Sequence, residues 1–121
     1  MIIRNEQMDV FQEDLNKKFA RRISPTIRSK YPDETSELTD EELVEYLDRT
    51  TTRAQSYGLT TDNELLTFIR LTLTISEDFD GKGVFRATLR DKTVADNKRM
   101  DELFLRAGDE DWLAAMNDDN D

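Results

Sequence analysis

Only one stretch of this chain is apolar on nearly every side. It runs through Leu65, Leu66, Phe68, Ile69, Leu71, Leu73 and Ile75. A helix-start signal stands directly before it: Thr61, then Asp62, with Glu64 three residues after the threonine, the spacing of a capping box. The expectation is a central buried helix over about 62–77. Residues 69–75 also alternate apolar and polar, which is the pattern of a strand. The cap and the doublets at 65–66 and 68–69 favour the helix, and no second convincing strand exists to pair with a lone one.

The rest of the chain is amphipathic. Hydrophobic residues make up 36% of 121, below the roughly 45–50% of average globular chains, so the core must be modest. Met8, Phe11, Leu15, Phe19, Ile23, Ile27 and Tyr31 recur every three or four residues and predict a first helix over 5–31, kinked at Pro25. The rival reading makes Ser24 an N-cap with Pro25 opening a new helix. After Pro32 a polar connector covers 33–38. Thr39 with Glu42 repeats the capping-box spacing and opens a second helix that turns Leu43, Tyr46, Leu47, Thr50, Ala54 and Tyr57 inward, ended by Gly58. A turn at 78–83 leads to a short helix over 84–90. Thr93 is read as the cap of a helix over 94–107, with Met100, Leu103, Phe104 and Ala107 inward, and 109–116 add a final turn or two. The fold class is therefore all-α: a single bundle of four to six helices over 1–116, with an acidic disordered tail over 117–121.

Missing residue types exclude much chemistry. The chain has no cysteine and no histidine. That removes disulfides, thiolate and imidazole metal sites, the Ser-His-Asp triad and histidine acid–base catalysis. A calcium loop starting at Asp78 would have Asp80, Gly83 and Phe85 in place, but Lys82 and Leu89 stand where two essential oxygen ligands belong. Carboxylate pairs such as Glu41/Glu45 are poor signals among 27 acidic residues. The expectation is no enzyme activity, no catalytic residue, no cofactor and no metal. No apolar run reaches the 18 or so residues of a membrane span. The N-terminal residues lack a leader's apolar stretch, so a cytoplasmic location is expected.

Charge is segregated. The formal net charge is −10. Residues 15–32 nevertheless hold six bases (Lys17, Lys18, Arg21, Arg22, Arg28, Lys30) and no acid, whereas 109–121 hold six acids and no base. The acidic balance argues against nucleic acid as a partner. The basic helix is read as an internal counterweight to acids elsewhere rather than a membrane surface. The partner expected is another protein, with a homodimer left open. Tyr46, Tyr57, Phe79, Phe85 and Trp112, large side chains near element ends, are the candidate partner-binding residues.

Three stretches resemble a known group: Met1-Ile2-Ile3-Arg4-Asn5-Glu6-Gln7-Met8; Arg53-Ala54-Gln55-Ser56-Tyr57-Gly58-Leu59 with the capped apolar helix behind it; and Asp78-Phe79-Asp80. In that order they are similar to small acidic helical accessory proteins encoded near bacterial type VI secretion effector and spike components. The resemblance covers about residues 1–80 and brings no catalytic motif. It implies an adaptor or chaperone that binds a secretion-associated effector or spike protein in the cytoplasm. The alternatives are an immunity protein that neutralises a cognate toxin, such as a basic nuclease, and, from another class, a carboxylate-metal enzyme.

Overall fold

The computed structural model describes residues 5–117, with side chains from Asp14 to Met116. Among the described residues the secondary structure is entirely helical: seven α-helices and two 3-10 turns, with no strand. The helices are α1 (Asn5–Lys30), α2 (Pro32–Thr35), α3 (Asp40–Ser56), α4 (Asp62–Thr74), α5 (Gly83–Leu89), α6 (Arg99–Arg106) and α7 (Asp109–Asn117). The chain forms two compact units, Met1–Arg53 and Ala54–Asp121.

In the first unit α1 runs through Pro25 without a break. Proline lacks the amide proton that would reach the Arg21 carbonyl, and the Ser24 hydroxyl donates to that carbonyl instead, at 3.4 Å. α3 returns antiparallel to α1. The Asn16 amide donates to Thr52 Oγ1 at 3.1 Å, and Arg28 meets Asp40 at 3.0 Å. Ala20, Ile23 and Ile27 of α1 and Leu43, Val44 and Leu47 of α3 are buried. Those are the three-to-four spacings of two facing stripes. At the start of α3, the Thr39 amide donates to Glu42 Oε1 at 2.9 Å and the Glu42 amide donates to Thr39 Oγ1 at 3.1 Å. Both bonds of the capping box are present, and they hold the Glu42 carboxyl below its ordinary range.

The connector between α1 and α3 is not the loop expected from its polarity. Proline suits the first helical position, and Pro32 opens the single turn α2. Thr35 closes it: its hydroxyl donates to the Tyr31 carbonyl at 2.8 Å, and Arg28 Nη1 donates to the Thr35 carbonyl. This turn takes the α-helix count to seven, above the four to six expected.

The second unit begins at the end of α3. Gly58 has φ +84°. Its amide donates to the Gln55 carbonyl at 2.9 Å, and the Leu59 amide donates to that of Ala54 at 3.3 Å. These two bonds make a Schellman stop that needs a left-handed residue. The capping box at Thr61 and Glu64 is complete, and α4 buries Leu65, Phe68, Ile69, Leu71 and Thr72. Residues 69–74 are helical, so the alternation there does not produce a strand. The helix ends at Thr74, three residues short of the expected limit. The expected cap at Thr93 is absent. Asp91 Oδ1 accepts both the Thr93 amide, at 2.9 Å, and its hydroxyl. That side-chain turn competes with helix formation, and α6 starts only at Arg99. The disordered tail expected over 117–121 lies, beyond Asn117, outside the described residues.

Candidate functional site

Six aromatic rings form an unbroken series through the second unit. Tyr57 lies 6.0 Å from Phe68, Phe68 lies 5.1 Å from Phe79, and Phe79 lies 5.8 Å from Phe85. Phe85 lies 4.7 Å from Trp112, and Trp112 stacks on Phe104 at 5.6 Å. Separations of about 4.5–7 Å are those of favourable ring pairs. Four of the five expected partner-binding residues are therefore brought together. They are not equivalent. Phe79 is 0% exposed and Phe85 2%, so their rings are core, and that part of the sequence reading is corrected. The loop at 78–83 brings Phe79 inward through a 3-10 turn rather than leaving it at an element end. Tyr57 and Trp112 are half-buried. Tyr46, also half-buried, lies in the first unit, outside this series.

The series ends at the surface on α6 and α7. Phe104 is 43% exposed, Leu105 79%, Leu113 57% and Met116 47%. Trp112 and Met116 are four residues apart and share a face of α7. Phe104 was expected inward, yet it follows Leu103 by one residue, about 100° round the helix. Phe104 shares a face with Met100 but stays exposed, with its ring stacked on Trp112. Acidic side chains border this face: Asp101 and Glu102 on α6, and Asp109, Glu110 and Asp111 on α7. The one base between Asp101 and Asp111, Arg106, is engaged by Glu102 at 2.9 Å and Asp91 at 3.0 Å. Those bonds raise the guanidinium pKa. The Thr93 hydroxyl and amide, then Arg106, bring the Asp91 carboxyl down to about 2.

At the other end of the series, the Tyr57 hydroxyl donates to the buried Asp80 carboxylate at 2.6 Å. Burial first, and then Asp80, push the phenol pKa up. Asp78 is taken by the Ser76 hydroxyl at 2.7 Å and by Lys82 at 3.1 Å, which lower its pKa. The two acids of the rejected calcium loop thus serve different internal partners. Among the described residues, no group of three or more acidic side chains is placed to hold a metal ion. No helix among them is long and apolar enough to cross a membrane.

No protein-family model matches the sequence, no curated protein is similar to it, and no solved structure matches its fold.

Proposed function

We propose that this protein is a non-enzymatic binding module, an adaptor or chaperone that holds a type VI secretion-associated effector or spike protein in the cytoplasm. The supporting observation is that α6 and α7, joined by the Phe104–Trp112 stack, expose Phe104, Leu105, Leu113 and Met116 and carry acidic first turns. Exposed apolar groups rimmed by charge are the features of a protein contact. The rim suits a partner whose contact surface is apolar and basic, and it steers such a partner while rejecting acidic ones. Trp112 is the anchor, because Phe85 and Phe104 pack against its ring.

Affinity purification of the tagged chain from its native host is the test. A secreted effector or spike protein at near-stoichiometric amount supports the reading, provided that Leu105→Lys/Leu113→Lys loses it. If the double variant retains the same partner, the contact lies elsewhere. An adaptor leaves the effector's activity intact. The immunity reading draws on the same acidic rim, and it requires the toxin's activity to vanish at an equimolar ratio.

A further inference from the structure

A second feature of the 54–121 unit runs against the acidic character of the chain. Residues 86–99 hold five bases, Arg86, Arg90, Lys92, Lys98 and Arg99, against two acids, Asp91 and Asp96. Three of these bases line one cleft of about 310 Å³, together with Ser56, Tyr57 and Leu89. That is the lower end of the volumes of small-molecule sites, about 300–1,000 Å³.

The cleft is built on fixed parts. The Schellman turn at Gly58 sets one wall. Arg99 ties the other wall to it, donating from Nη1 to the Tyr57 carbonyl and pairing with Asp96 at 2.7 Å. The Arg99 side chain is only 11% exposed, so it is structural and contributes field rather than reach. Tyr57 is held by Asp80, and Arg90 approaches the same phenol oxygen. Asp91, the acid nearest in sequence, is turned to Thr93 and Arg106. Arg90 and Lys92 are exposed and line the cleft.

We propose that this cleft binds the phosphate group of a small phosphate monoester. Arg90, Lys92 and Arg99 outnumber the two carboxylates beside them, Asp96 on Arg99 and Asp80 on Tyr57, so the cleft keeps a net positive charge for an anion. Guanidinium and ammonium groups are the common donors to phosphate oxygens. Ser56 and Leu89 complete the lining, Leu89 giving the carbon skeleton an apolar wall, while the Tyr57 hydroxyl proton is already given to Asp80. A polyanion is disfavoured, because the whole chain carries −10 and repels an extended phosphate backbone. The site is independent of the α6–α7 docking face.

The test is amide NMR titration of the full chain with inorganic phosphate and ribose 5-phosphate at constant ionic strength, with acetate as comparison. Saturable shifts confined to 56–58 and 89–99 are expected, with ribose 5-phosphate at least matching inorganic phosphate. Arg90→Gln/Lys92→Gln should weaken binding about tenfold or more, the loss of one to two charged hydrogen bonds. Lys17→Gln/Lys18→Gln, an equal change of charge on α1, should leave it unaltered. Both pairs are exposed, so the variants keep dispersed wild-type spectra. The proposal is overturned if acetate binds as well as phosphate, if both double variants weaken binding equally, or if the shifts fail to saturate or centre on 15–32.

Discussion

The two units solve the same problem, a sparse supply of apolar residues, in opposite ways. The first uses length. One 26-residue helix and one partner helix bury two aliphatic stripes, and polar bonds are placed along the seam and at its ends. The second uses ring area. Its helices after α4 have nine residues or fewer, too short to be stable alone, and they gather around Phe68, Phe79 and Phe85. Ion pairs do not explain either unit. Arg21–Glu41 is long, at 3.8 Å, and exposed on both sides, and surface pairs are worth about 0–1 kcal/mol. A chain poor in apolar residues can therefore fold by extending a stripe or by concentrating aromatics. The second route leaves Phe104 43% exposed at the surface.

The contrast is broken most forcefully at Phe79. Phe79→Ala should cost about 3–5 kcal/mol, read as a lower urea midpoint by circular dichroism. A loss below 1 kcal/mol would mean that the aromatic series does not hold the second unit. Leu47→Ala, at a fully buried stripe position of the first unit, should cost about 2–5 kcal/mol. Hydrogen exchange would then speed up first in α1 and α3; uniform acceleration throughout would erase the distinction between the units. Gly58→Ala comes next. A left-handed alanine costs about 1–2 kcal/mol, and its Cβ would stand 2.5 Å from the Asp96 carboxyl carbon. The thermal midpoint should fall, and the Arg99 contacts should loosen with it.

Two carboxyls sharpen the comparison more finely. Asp91 in the second unit titrates at about 2, and Glu42 in the first is lowered as well. A depressed carboxyl stabilises the fold fully above its ordinary value, 3.8 for Asp91, and that contribution is lost as pH falls through about 2. Thr93→Val should move the Asp91 midpoint up toward 3.8, and Thr39→Ala should raise that of Glu42. Carboxyl-carbon NMR titration reads both, and an unmoved Asp91 would refute Thr93 as the main cause. The smallest effect on stability belongs to Leu105→Lys, within about 0.5 kcal/mol. Its expected consequence is confined to partner capture.

Where the sequence was legible, a local rule and the tertiary packing agreed. Both capping boxes, the left-handed Gly58 and the helix through Pro25 follow from neighbours within four residues. The polar connector misled because polarity describes exposure, while Pro32 and Thr35 decide the backbone. Thr93 misled because a nearer acid, Asp91, takes its donors. The docking face was half visible: Trp112 stood out, but the three-to-four spacing of Met100, Leu103 and Phe104 made Phe104 look like core, whereas it is 43% exposed. The cleft was missed although the run of bases from Arg86 to Arg99 marks it. Bases separated by acids and turns converge only once Gly58 and Arg99 close the loop.

Trp112 is the chain's single tryptophan, and it sits where the buried rings give way to the exposed ones. Its fluorescence is therefore a built-in reporter that needs no label. Opening of the Phe79–Phe85 core would shift its emission to the red. A protein docking over Phe104 and Met116 would remove water from the indole and shift it to the blue. One emission spectrum thus separates unfolding from engagement, by the sign of the change.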